Sequence, residues 1–305
     1  MTAVTETEGF VDFRGHRVFY RIVGSGEAPG KYPLLTLHGG PGAAHDCLEP
    51  LAVLARTGRR VIFYDQLGCG RSDQPHDPAL WTIDLFLEEL AVVRRALQLP
   101  AVHLLGLSWG GMLGLEYATR QPPGIVSLIV ASAPASMRQW MDEARRLRAE
   151  LPDEVQRVLD RHERAGTTDD PEYQRAMMVF YERHVCRVKP WPDCVQRSIG
   201  QLMRNPEVYL TMNGPSEFHV TGTLREWSVE ERLGLVRVPV LVTSGRYDEC
   251  TPAMAETIQR RIPGSEWVLF EESAHFSHAE EPERYASTVT AFLERVERDR
   301  GRGTL

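Results

Sequence analysis

Paired cysteines, a basic surplus and a membrane-length apolar run are all missing from this chain of 305 residues. Each gap closes off a class of function. The five cysteines (Cys47, Cys69, Cys186, Cys194 and Cys250) are odd in number and scattered, with no CxxC pair. That excludes a disulfide framework and a zinc ribbon, and predicts a reducing, cytoplasmic setting. Cys250 reads as a small apolar filler. A net charge of −7 gives nucleic acid or an anionic membrane surface no reason to bind. Met1–Glu8 is polar and acidic, unlike a signal or transit peptide, and no apolar run is long enough to span a bilayer. Neither a dinucleotide-type glycine fingerprint nor a His/Cys/Asp ligand cluster is present, so no cofactor and no metal are expected.

What is present is alternation. Residues 9 to 24 read as a hairpin turning at Arg14-Gly15. Short apolar runs follow at Leu34–Leu37, Val61–Tyr64, Val102–Leu105 and Ile125–Val130, separated by helical patterns of which Leu85–Leu97 is the clearest. Strand–helix alternation predicts a mostly parallel, doubly wound α/β sheet with helices on both faces. The alternation stops after Pro134. From about Met137 to Leu235 the chain reads as helical, and strand-like runs resume at Val238–Thr243 and Glu266–Phe270. The simplest organisation is a core formed by residues 1–134 and 239–305, with a helical cap of residues 135–238 inserted. The alternative, three separate domains, leaves the last stretch too few strands to cover itself. A final helix over Pro282–Asp299 would dock through Tyr285, Val289, Phe292 and Val296, leaving Gly301–Leu305 as a frayed end.

The chemistry centres on Gly106-Leu107-Ser108-Trp109-Gly110, between an apolar strand and a small-residue helix. Glycines on both sides make room for a sharp strand-to-helix turn that pushes the serine out above the sheet. Alone, the pentapeptide is equally a plain βα turn. A serine nucleophile also needs a histidine base and an acid to orient that base, in the chain order Ser, Asp/Glu, His at strand ends. Asp248 follows the Val240–Val242 run and His275 follows the Val268–Phe270 run, in that order. Alone, Asp248 reads as a helix cap and His275 as a loop histidine. His278 competes as the base, but His275 comes sooner after the strand. The oxyanion of a tetrahedral intermediate needs two donors. The Trp109 N–H, next to the nucleophile, is one; Gly40, in His38-Gly39-Gly40-Pro41-Gly42, is the expected second, although that segment also reads as a tight turn.

These segments, with Asp65-Gln66-Leu67-Gly68-Cys69-Gly70-Arg71-Ser72 and Asn213-Gly214-Pro215-Ser216-Glu217-Phe218, make the chain resemble the proline iminopeptidase family of α/β-hydrolases. Within that family it most resembles the branch that includes the tricorn-interacting aminopeptidase. The resemblance spans about residues 33 to 282. It implies an α/β-hydrolase sheet with a helical cap, acting by an acyl-enzyme mechanism on the N-terminal residue of short peptides or on amino acid amides. It also implies that carboxylates near the serine hold the substrate's free amino group, and the matching positions are Glu217 and Glu249. The physics agrees, since an ammonium entering an apolar pocket must be paired. Two solvated surface glutamates are the bland alternative. Outside the NGPSEF segment the cap matches less clearly, which bears on proline preference above all.

Two other classes stay open at this point. One is an esterase or carbon–carbon bond hydrolase on the same scaffold; the other is a non-catalytic binder. Serine rather than aspartate at position 108 disfavours dehalogenase or epoxide hydrolase chemistry. The glutamate pair favours a free-amine substrate over a simple ester.

Overall fold

In the computed structural model, which describes residues 5–303, the strands form one eight-stranded sheet. The expectation for Met1–Glu8 therefore lies partly outside the described residues, as do the last two residues of the expected frayed end. β1 (Glu6–Phe13) and β2 (His16–Val23) are antiparallel, and Arg14 and Gly15 between them both take positive φ (53° and 79°). Such a two-residue turn carries the twist that matches the flanking strands. β3 (Leu34–Leu37) leads through the His38–Gly42 loop into a 3-10 segment over His45–Thr57, and β4 (Val61–Tyr64) follows. Next come α1 (Ile83–Ala96), capped by the Thr82 hydroxyl on the Leu85 N–H, then β5 (Val102–Leu107), α2 (Trp109–Thr119) and β6 (Ile125–Ala131).

Five helices stand between β6 and the next strand: α3 (Met137–Ala149), α4 (Asp153–Ala165), α5 (Pro171–His184), α6 (Asp193–Arg204) and α7 (Glu207–Met212). A 3-10 segment over Glu230–Leu235 then leads to β7 (Val240–Gly245), α8 (Pro252–Arg261), β8 (Glu266–Phe270), α9 (Ser277–Glu280) and α10 (Pro282–Gly301). The order β1-β2-β4-β3-β5-β6-β7-β8 puts β7 and β8 in the same sheet as the first six strands. From β4 onward all neighbours are parallel.

β3, β4, β5, β6 and β7 are buried along their whole length, because helices cover both faces of a parallel sheet. Side chains alternate between two clusters. Leu35, Leu104, Leu128 and Val240 point to the face covered by α1, α2 and α8. Leu34, Leu105, Ile129 and Leu241 point to the face covered by the His45–Thr57 segment and α10. Buried residues of the inserted helices join these same clusters, Trp140 and Phe180 on one side and Val185 and Val195 on the other.

Some boundaries move from the sequence reading. β7 begins at Val240 rather than Val238, since Pro239 has no N–H to donate to a ladder. His278 lies on the separate turn α9, ahead of the last helix. α10 does bury Tyr285, Val289, Phe292 and Val296, and it is fixed at its far end by a buried ion pair. Glu297 accepts from Arg59 Nη1 at 2.8 Å and Nη2 at 3.1 Å, from the Tyr32 N–H at 3.1 Å, and contacts His103 Nε2 at 3.3 Å. Among the described residues no helix is long and apolar enough to cross a membrane.

Candidate active site

Ser108 sits on the elbow between β5 and α2 with φ 55° and ψ −120°, a conformation costly for a residue with a side chain. Both flanking glycines are sterically required. A Cβ on Gly106 would lie 2.1 Å from the Gly110 carbonyl oxygen, and one on Gly110 would lie 2.1 Å from that of Leu37. The His38–Gly42 loop presses on the elbow from above: a Cβ on Gly39 would lie 3.2 Å from Ser108 Cβ. Trp109 is the first residue of α2, so its N–H has no acceptor within the helix. The Gly40 N–H, on a residue with φ 112°, has no acceptor among the described residues either.

A buried network sets the orientation of this loop. Gln66 accepts from the Trp109 indole at 2.8 Å, donates its side-chain amide to the His38 carbonyl at 3.2 Å, and gives its backbone N–H to His38 Nε2 at 3.0 Å. His38 Nδ1 donates to the Gly39 carbonyl at 2.9 Å. Burial pushes the His38 imidazole down, which fits this neutral tautomer. Gln66 carried no role in the sequence reading; its only signal was its place in the Asp65–Ser72 segment.

On the facing loops, His275 Nδ1 meets Asp248 Oδ1 at 2.8 Å, and the same oxygen accepts the Cys250 N–H at 2.8 Å. Burial lowers the His275 pKa, but the Asp248 charge and bond, with Glu217 and Glu280, outweigh it and leave it above 6.5. His278 is turned away. Its Nε2 donates to the Cys47 carbonyl at 2.7 Å, and burial pushes it down to about 4. The inserted segment grips both loops, because the His184 carbonyl accepts the Glu249 N–H at 3.0 Å and the Val185 carbonyl accepts the His275 N–H at 3.1 Å.

Ser108, His275, Glu217 and Glu249 line one cavity of about 280 Å³, with Gly40 in its wall. Glu249 Oε1 stands 3.8 Å from His275 Nδ1, while its Oε2 is buried with no partner. Glu217 faces the cavity and accepts from the Tyr209 hydroxyl at 2.6 Å, and its backbone carbonyl is held by the Trp140 indole at 2.7 Å. Burial pushes both carboxyls up, Glu249 well above the usual range with the charges of Glu217 and Asp248 adding to the effect. Tyr209 escaped the sequence reading, because only the packing of α7 against the Asn213–Phe218 turn brings it to Glu217. A separate cleft of about 10 Å³, bordered like the cavity by Ser108 and Glu217, is lined by Met112, Met137, Trp140 and Leu224. Away from these walls, the fold does gather His162, Asp170 and Glu172. Glu172 is paired with Arg161, and Asp170 caps α5 through the Glu172 N–H at 2.7 Å.

The α/β hydrolase fold family profile matches residues 32–282. Over 298 residues the chain is 40% identical to the proline iminopeptidase of Saccharolobus solfataricus, covering 96% of this chain and 94% of that one. The chain belongs to the proline iminopeptidase family of α/β-hydrolases. Among solved members of this fold, the proline iminopeptidase of Mycobacterium smegmatis is 45% identical with a TM-score of 0.89, covering 95% of this chain and 99% of that one. VinJ is 44% identical with a TM-score of 0.92 at the same coverage.

Proposed function

We propose that this member of the family is a serine aminopeptidase that releases N-terminal residues, proline among them, from short peptides or aminoacyl amides. Residues 135–238 serve as the cap over a core of residues 1–134 and 239–305. The scattered, buried cysteines support a cytoplasmic setting. The observation that carries the reading is two enclosed carboxylates, Glu217 and Glu249, in the same cavity as Ser108 and His275. An enclosed carboxylate pair is costly without a cation, and a substrate ammonium supplies one.

In this mechanism His275 takes the Ser108 proton as Oγ bonds to the substrate carbonyl carbon, and Asp248 holds the imidazole tautomer. The oxyanion rests on the Gly40 and Trp109 N–H groups. The C–N bond then breaks as His275 passes the proton to the leaving nitrogen, and water hydrolyses the acyl-enzyme by the reverse proton route. Acetylating the substrate nitrogen removes its charge and adds bulk between the glutamates. Hydrolysis of N-acetylprolyl amide is expected to fall at least ~100-fold below that of the free-amine amide, since half of a desolvated ion pair costs about 3–5 kcal/mol. Equal rates would mean an esterase-type pocket instead.

The acid side of the pH profile is a second check. His275 must be neutral to act as a base, and its pKa is raised, so activity is lost as pH falls through a value above the ordinary 6.5. Glu217→Gln removes one of the anions that raise it. The acid limb of kcat/KM for a simple acyl ester is therefore expected to move to lower pH in that variant. An unmoved limb would contradict the placement of this charge against the base.

A further inference from the structure

We propose that the leaving group accepted by this site is an uncharged, apolar amine, and that a short peptide ending in a free carboxylate next to the scissile bond is a poor substrate. This rests on the aminopeptidase reading and names the chemistry on the far side of the bond. The leaving nitrogen takes its proton from His275, so the leaving group lies on the His275 side of Ser108. His275 and Phe276 line the large cavity; neither borders the small cleft. The large cavity therefore holds the leaving group.

Its lining decides what that group can be. No Lys or Arg is among the lining residues, and the acids there are Glu217, Glu249 and Asp169. A carboxylate placed there would be desolvated with no protein cation to meet it, because the one cation brought in, the substrate ammonium, is already taken up by Glu217 and Glu249. Met177, Ile199 and Leu202 form apolar wall beyond the serine. The apolar surface then continues to the rim, where Met203 and Leu210 are 60% and 50% exposed, two of the few large apolar side chains the fold leaves in water. Single exposed apolar residues are common, but these two extend a buried apolar wall outward at the mouth of a site. A neutral alkyl or amide-capped amine gains contact along this whole path. The penalty on a carboxylate fades as the peptide lengthens and carries the charge past Met203 into solvent.

The test compares prolyl-leucine, prolyl-leucinamide and N-hexylprolinamide at neutral pH and low salt. The two neutral substrates are expected to exceed prolyl-leucine by at least ~tenfold in kcat/KM, since only prolyl-leucine must bury an unpaired carboxylate. Met203→Arg supplies the missing cation and is expected to raise kcat/KM for prolyl-leucine and shrink the gap. Prolyl-leucine cleaved as well as its amide overturns this inference alone. If acyl esters are hydrolysed while all three free-amine compounds resist, the aminopeptidase reading falls and takes the inference with it.

Discussion

Ser108→Ala is expected to lower turnover of prolyl amides by about 10⁴–10⁶-fold, with His275→Ala in the same range and Asp248→Asn near 10⁴. The losses should not multiply. Once Ser108 is gone, His275 has no proton to take, so the double variant should be about as slow as either single one. A serine-directed phosphonate should add its mass to Ser108 and to no other residue in the intact protein. His278→Gln keeps a donor for the Cys47 carbonyl and should retain most activity, because His278 is spent on that carbonyl and held neutral. A His278 variant as slow as the His275 one, or an adduct elsewhere, would reassign the base or the nucleophile.

The largest effect expected on stability lies far from the serine, at Glu297. Arg59 is fully buried and meets Glu297 through two bonds. Burial alone would raise the Glu297 pKa, but the His103 and Arg59 contacts outweigh it and hold it at about 2, below the ordinary 4.5. A carboxyl depressed on folding stabilises the protein at pH values above 4.5 and loses that contribution as pH falls toward 2. The shift corresponds to ~3 kcal/mol. Glu297→Gln strands a buried guanidinium, so a loss of about 3–5 kcal/mol is expected, read as a lower denaturant midpoint at neutral pH. Stability of the variant should also depend less on pH between about 4.5 and 2. Replacing Arg59 and Glu297 together by methionine should recover much of the loss, since no charge is then left unpaired. An unchanged midpoint in Glu297→Gln would show that the pair contributes nothing net.

How much of this was legible in the sequence depends on how local the cause is. The elbow was readable because the backbone contacts that demand Gly106 and Gly110 come from the turn itself and from the neighbouring strand β3. The hairpin was readable because Arg14-Gly15 fits one turn type, and the sheet because apolar runs recur between helices. Asp248 and His275 followed from chain order and strand ends. What was not readable joins distant parts of the chain. Arg59 and Glu297 are 238 residues apart, and no spacing rule pairs them. Tyr209 meets Glu217 only through the turn at Asn213–Phe218. Between Leu37 and Val61 only a helical pattern was read; its 3-10 form over His45–Thr57, with Pro50 inside and unable to donate an N–H, was not.

The two carbonyls at the end of α5 link variation to risk. Those of His184 and Val185 carry the N–H groups of Glu249 and His275. The inserted segment, proposed here to meet the leaving group, thus also holds the proposed base and one proposed amine anchor in place. Inserted helices traded wholesale between relatives would arrive with an altered grip on both loops, and a new specificity would come with slack in the base. Divergence by small steps along the Met177-to-Met203 wall would escape that coupling, so on the proposed placement of the leaving group this wall is where selectivity would change while turnover is kept.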